Sequence, residues 1–262
     1  MTVRTLTHLS DGPVALDVSS DTADIDVAPS ATGHATVTIA THTRDGRAQR
    51  AVETALILES PGRIVVRLGD AGCAAAHIRV TAELPSGSSL DVLGTSGRVT
   101  TAGVVDEAYV RTDSGSIRIG EAATATLRTG SGSIAVGSAE TLEADTDSGF
   151  IEIGAVGTVT ARTGSGAITV TDVRGPAQLT TICGRIEVGY SGPIRPVTQT
   201  VAGSVTVVQR VEYVQDSHPE DRAAPVDADG GCGDRREPGP AGPGSGARRR
   251  GWLRPGPTTP AR

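Results

Sequence analysis

Four stretches of the chain are near copies of one another: Asp113-Ser-Gly-Ser-Ile-Arg-Ile-Gly120, Gly130-Ser-Gly-Ser-Ile-Ala-Val-Gly137, Asp147-Ser-Gly-Phe-Ile-Glu-Ile-Gly154 and Gly164-Ser-Gly-Ala-Ile-Thr-Val-Thr171. Their central glycines belong to a longer series, Gly97, Gly115, Gly132, Gly149, Gly166, Gly184 and Gly203, with spacings of 18, 17, 17, 17, 18 and 19 residues. A unit this short has no room for two helices and a turn, and its glycines would weaken any helix. Short apolar-alternating segments punctuated by glycine at a fixed period predict a β-solenoid, each coil carrying two or three short strands and the corners between them.

Strand side chains alternate between faces, so columns can be assigned by parity. Two residues after each glycine stand Val99, Ile117, Ile134, Ile151, Ile168, Ile186 and Val205. Four after stand Thr101, Ile119, Val136, Ile153, Val170, Val188 and Val207. These two β-branched columns are expected to point inward, each buried side chain contributing about 1.5–3 kcal/mol. Five residues before the glycine come Val92, Val110, Leu127, Ala144, Ala161, Leu179 and Thr198. Three before it come Gly94, Thr112, Thr129, Thr146, Thr163, Thr181 and Thr200, placed inward near a corner by the same parity. Between those columns lie Arg111, Arg128, Asp145, Arg162, Thr180 and Gln199, which belong in water; the opposite phase would bury three arginines in a narrow core. A third, weaker side is assigned to Val104, Ala122, Ala139, Val156 and Val173.

Composition agrees with a thin, aliphatic interior. Aromatics make up 2% of the 262 residues, too few for a bulky α/β enzyme core. The net charge of −6 provides no basic field for nucleic acid, and no lysine accompanies the arginines, a bias attributable to GC-rich coding DNA. Cys73, Cys183 and Cys232 are odd in number and irregular in spacing, which is neither a disulfide framework nor a zinc site. Cys183 replaces the repeat serine and reads as a packed small residue. The opening residues lack the apolar run of a secretory signal, and nothing approaches a membrane span of about 20 apolar residues. The expectation is a soluble cytoplasmic protein.

Residues 1–87 read as strands of less regular spacing, with turns at Asp11-Gly-Pro13, Arg44-Asp-Gly46, Ser60-Pro-Gly62 and Pro85-Ser-Gly87. Hairpins or a small antiparallel meander are expected there, capping the first solenoid coil, with Thr43–Glu53 a loop or one helical turn. Residues 88–214 form the solenoid of six or seven coils; Val201–Val208 is its last recognisable rung, and Val211-Glu-Tyr-Val214 a possible capping strand. Residues 215–262, rich in proline, glycine and arginine, are expected to be a disordered tail.

The motifs exclude more chemistry than they suggest. The Gly-Ser-Gly units precede strands rather than helices, so they are not phosphate loops. Asp113 and Asp147 alternate with Gly130 and Gly164, unlike the nine-residue calcium β-roll unit. The five histidines show neither metal spacing nor a partnered nucleophile. An inward threonine column excludes an ice-binding face. A polysaccharide-cleaving β-helix is the strongest enzyme alternative, but Asp113 and Asp147 would stand about 10 Å apart, beyond the roughly 6.5–9.5 Å of an inverting pair. The loops, two to five residues long, are also too short to wall a cleft.

The repeated Thr-Asp/Gly-Ser-Gly-Ser-Ile-x-Val-Gly pattern, preceded by Leu84-Pro-Ser-Gly-Ser-Ser-Leu-Asp-Val92, resembles a bacterial β-strand-repeat domain of unknown function labelled putative adhesin, common in actinobacteria. The resemblance spans about residues 10–210 and implies a right-handed parallel β-solenoid with no catalytic residues to transfer. The reading is therefore an all-β, non-catalytic protein offering a rigid surface to a protein partner. Its candidate binding strip is Arg111, Arg128 and Arg162 beside Asp113 and Asp147, with Arg118, Glu152 and Glu187 marking a second polar face. No catalytic residue, metal site, cofactor, nucleic acid or membrane is assigned. The alternatives are a carbohydrate-active β-helix enzyme and an exported surface adhesin whose start lies upstream.

Overall fold

The computed structural model describes residues 2–9, 12–31, 33–69 and 77–210. It opens with β1 (Thr2–His8), β2 (Ala15–Ser20), β3 (Asp24–Pro29) and β4 (Ala35–Thr41), followed by helix α1 (Gly46–Thr54). Next come β5 (Leu56–Ser60), β6 (Arg63–Arg67), β7 (Ile78–Leu84) and β8 (Ser89–Ser96). The repeat supplies β9 (Val99–Ser114), β10 (Ile117–Ser131), β11 (Ile134–Ser148), β12 (Ile151–Ser165), β13 (Ile168–Val173), β14 (Ala177–Tyr190) and β15 (Val197–Gln209). Each long strand bends around the corners of the coil, and successive coils pair in parallel, giving a solenoid of about seven turns at roughly 18 residues each.

Register follows the glycine spacing. Ile117 pairs with Ile134, Ile134 with Ile151, Ile151 with Ile168, and Ile168 with Ile186. All five are at most 1% exposed, so the expected dry stack is present. Across the core, Val92, Val110, Leu127, Ala144, Ala161 and Leu179 are buried as expected. A further inward column, Leu90, Ala108, Ala125, Leu142, Val159 and Ala177, lies two residues earlier and was not anticipated. From β9 onward the two columns offset each other in volume. Ala125 accompanies Leu127, Leu142 accompanies Ala144, and Ala177 accompanies Leu179, so each of these rungs holds one large and one small residue, whereas Leu90 accompanies Val92 in β8.

The third side needs one correction. Val104 is 53% exposed, and Val105, at 3%, stacks on Ala122. The register between β9 and β10 shifts after Ile119, because that coil carries an extra residue at Gly103, where φ is +95°. A bulge of this kind flips the parity of the residues beyond it.

The repeat glycine is required by the spacing of the coils. A Cβ on Gly149 would stand 1.9 Å from the Gly132 carbonyl oxygen of the coil below, and φ there is +155°. The same backbone is satisfied polar group by polar group. The Gly149 N–H donates to the Ser165 carbonyl at 2.9 Å, and its own carbonyl accepts from Thr163 Oγ1 at 3.4 Å. Thr129, Thr146 and Thr181 donate to Gly115, Gly132 and Gly166 in the same way, which explains why this inward column is threonine. A hydroxyl there satisfies a corner carbonyl that valine would leave bare.

The N-terminal stretch caps the solenoid, as expected, and also enters it. β6 and β7 form one parallel rung, and β2 and β3 form the next. β8 and β9 then pair with β2 and β3, not with β6 and β7. The first rung in the chain is thus second in space, inserted between two that come later in sequence. Antiparallel strands are confined to the outside, where β4 pairs with β7, β1 with β4, and β5 with β6. The segment expected as a loop or one turn is the nine-residue helix α1, its N-terminus capped by Asp45, which accepts from the Arg47 N–H at 2.8 Å. α1 buries Ala48, Ala51 and Val52, and Arg4 of β1 donates to the Glu53 carbonyl at 3.1 Å at its C-terminal end. No helix among the described residues is long and apolar enough to cross a membrane. The expected tail at 215–262, the Val211–Val214 strand, Cys73 and Cys232 lie outside the described residues.

Gly149→Ala is expected to cost about 2–5 kcal/mol, combining a backbone clash with an unfavourable dihedral. Ser148→Ala, next to it and exposed, is expected to stay within about 0.5 kcal/mol of the parent. Denaturant titration of both variants checks the pair, and equal midpoints would remove the glycine from its structural role.

Candidate functional site

The outward residues between the two inward columns line up as the register dictates. Arg111 stands beside Arg128, Arg128 beside Asp145, Asp145 beside Arg162, and Arg162 beside Thr180. Asp113 and Asp147 lie in the neighbouring outward column, with Gly130 of the intervening coil between them. Having no side chain, Gly130 leaves a depression of about 220 Å³, lined by Arg111, Asp113, Arg128, Asp145 and Asp147. The structure therefore gathers four of the five strip residues around Gly130 and sets Arg162 one coil beyond, next to Asp145.

The three arginines are not equivalent. Arg128 donates to Glu143 Oε1 at 2.9 Å, and this hydrogen bond holds its guanidinium more firmly charged. Arg111 and Arg162 are exposed and make no ion pair among the described residues. The strip thus offers two unengaged cations flanking a neutralised one, with acidic side chains along one border. On the other wall, Arg118, Glu152 and Glu187 fall in one column, separated by Ala135 and Thr169.

A second polar group escaped the sequence reading. Asp17 of β2 pairs in register with Asp91 of β8, and Asp91 pairs in turn with Tyr109. With Arg63 and Glu107 they line a cleft of about 440 Å³. Arg63 Nε donates to Asp17 Oδ2 at 2.6 Å, leaving Asp91 without a cation of its own. Asp91 Oδ1 is buried without a hydrogen-bond partner. Desolvation, then the charge of Asp17, pushes the Asp91 carboxyl above its ordinary range, with Arg63 opposing and Glu107 adding. The only available signal was the Leu-Asp-Val motif shared by Leu16-Asp-Val18 and Leu90-Asp-Val92. Among the described residues, no group of three or more His, Cys, Asp or Glu side chains is placed to hold a metal ion. Cys183 is exposed, at an outward corner position, and not packed as expected.

No family model and no curated relative matches this chain. Solved structures do. A putative adhesin from Bacteroides fragilis superposes with a TM-score of 0.58 at 14% identity, covering 80% of this chain and 97% of its own. A putative adhesin from Parabacteroides distasonis gives 0.48 at 13% identity, with 80% and 97% covered. A putative cell adhesion protein from Clostridium sporogenes gives 0.35 at 7%, with 80% and 99% covered. At such identity the first of these likenesses is one of fold: the two chains share the parallel β-solenoid architecture. These three are named for adhesion and come from Bacteroides, Parabacteroides and Clostridium, whereas a further Parabacteroides distasonis neighbour is named a putative lipid binding protein.

Asp91 has a signed pH consequence. With its pKa raised in the folded state, the native protein binds more protons than the unfolded chain just above the ordinary carboxylate value, so stability falls as pH rises through that window. Asp91→Asn removes the penalty. The variant is expected to be more stable than the parent at neutral pH, by less than about 1 kcal/mol after solvent screening, and equal to it at pH 3. Thermal unfolding at both pH values checks this, and a variant less stable at pH 7 contradicts it.

Proposed function

We propose that this protein is a non-catalytic, adhesin-like β-solenoid that presents the Arg111–Arg128–Asp145–Arg162 ladder, with Asp113 and Asp147 along its border, to a protein partner. The observation that carries this reading is the ladder itself. Like charges directly opposite on neighbouring strands are destabilising, yet Arg111 and Arg128 are held one coil apart. Arg111 and Arg162 have no cost-relieving carboxylate bound to them, and the depression over Gly130 lies between Arg111 and Asp147. A stiff parallel sheet holds these groups at fixed spacing before any partner arrives, so little ordering entropy is lost on binding. The adhesin names of the structural neighbours support a surface-interaction role.

The carboxylates of the strip do not favour hydrolysis. Asp113 and Asp147 face water on an open wall, and Asp17, the acidic neighbour of Asp91, is already engaged by Arg63.

The test is affinity capture from the source cells with three baits: the parent, a strip variant (Arg111→Glu, Arg128→Glu, Arg162→Glu), and an opposite-wall variant (Arg118→Glu with Arg185→Glu, Arg185 being the residue that donates to Glu187 at 3.2 Å). The strip variant is expected to lose at least about tenfold in capture of the partner, which corresponds to ~1.4 kcal/mol. The opposite-wall variant is expected to match the parent. Undiminished capture by the strip variant overturns the proposal.

A further inference from the structure

The last coil differs from those below it. β9, β10, β11, β12 and β14 all carry charged side chains, whereas β15, Val197-Thr-Gln-Thr-Val-Ala-Gly-Ser-Val-Thr-Val-Val-Gln209, carries none. Natural edge strands are usually blunted by charge, proline or a bulge. Among the described residues β15 pairs with β14 alone. Val197, Val201, Val205 and Val208 are 64, 78, 40 and 54% exposed, and Ile182 and Ile194 beside them are also exposed. Val205 stacks on the buried Ile186, so its exposed side is the side where another coil would sit. At the opposite end, β1, β4, β5 and α1 close the stack.

The strand is also self-complementary. Its register with β14 makes Thr198 and Thr200 inward before the Gly203 corner, and Val205 and Val207 inward after it. The parity of inward positions therefore switches at the corner. Because of that switch, a two-fold axis passing between Ala202 and Gly203 sets every inward residue opposite an inward residue. Thr198 meets Val207 of the second copy and Thr200 meets Val205. Outward residues meet likewise: Val197 faces Val208, and Gln199 faces Thr206. The pairing is antiparallel and continues both walls, so the two aliphatic cores become one.

We propose that this chain forms a closed two-fold dimer, end to end, through antiparallel pairing of β15 with β15 of a second copy. Since the other end is capped, the contact closes on itself and does not propagate into a filament. The chain's own residues 211–262 are a poorer occupant. Their large apolar side chains are Val211, Tyr213, Val214, Val226, Trp252 and Leu253, scattered among prolines, glycines and charges. A 13-residue edge with two uncharged walls needs a longer alternating strand than Val211-Glu-Tyr-Val214 provides.

Sedimentation equilibrium of the full chain tests the dimer, with far-UV circular dichroism verifying that each variant keeps the fold. The parent is expected at the mass of two chains. Val197→Lys with Val208→Lys, both outward and exposed, sets lysines opposite each other twice across the axis and is expected to halve the mass. Val197→Glu with Val208→Lys sets opposite charges at the same places and is expected to restore two chains. A parent of one-chain mass throughout the micromolar range overturns the proposal, as does a double-lysine variant that stays at two. Strong hydrogen-exchange protection of β15 in a one-chain parent would assign the end to residues 211–262 instead.

Discussion

The distance between hydrogen-bonded strands, about 4.8 Å, governs this molecule. A coil that returns on itself at that spacing brings backbone against backbone at each corner, with no room for a side chain. At Gly149 the clearance is so small that a Cβ would lie 1.9 Å from the neighbouring carbonyl oxygen. Glycine at each corner is therefore a condition of closing the ladder, and the period of the glycines becomes the period of the coil. Once that period is fixed, each inward residue rests on the equivalent residue of the next coil, and so the interior consists of columns. β-branched side chains suit such columns because they stack with little loss of rotamer freedom. The paired threonine arises from the same corner, where a carbonyl turned away from the ladder accepts from Thr163 and not from a backbone amide.

Parity and period made most of the solenoid legible. The isoleucine stack, the inward threonines and the outward arginines all come from counting out from the glycine. The features that were not legible fail for separate physical reasons. The column of Ala108, Ala125 and Ala177 is hidden because alanine gives little hydrophobic signal, and two of its larger members, Leu142 and Val159, stand where the adjacent column holds alanine. Val104 fails because an extra residue at Gly103 shifts everything after it by one. β2 and β3, legible as strands, fail as a rung of the solenoid for a topological reason. A single rung separated from its spatial neighbours by an excursion through β4, α1, β5, β6 and β7 has no local copy with which to be compared. Helix α1 fails because only Ala48, Ala51 and Val52 are buried, too few to raise a polar segment above a loop.

The candidate site was legible for the same reason as the core, and its unforeseen half was lost for the same reason as β2. Outward residues of the repeat need not pack, so the core leaves their identities free. The ladder from Arg111 to Arg162 is visible in sequence because each member sits at the same offset from its glycine. The Asp17–Asp91 pair is not, because its two carboxylates reach adjacent coils from distant parts of the chain. The repulsion between those carboxylates is an electrostatic effect of the inserted rung, with Arg63 of the outermost rung supplying the partial remedy.

A stack of identical coils has no intrinsic reason to stop, and its two ends must be ended by something other than the repeat. At the start of the chain the solution is architectural: the strand direction reverses, and a short helix closes the core where the next coil would lie. At β15 no such change occurs. The corner glycine is retained, the inward valines are retained, and charge, the usual deterrent to further pairing, is missing from both walls. The same geometry that forces glycine at each corner also switches the inward parity there. An antiparallel copy of the final coil can consequently meet it core to core, which a strand with one uninterrupted face could achieve only in half of its registers. The rule that builds the ladder thus also makes its last rung compatible with its own twin.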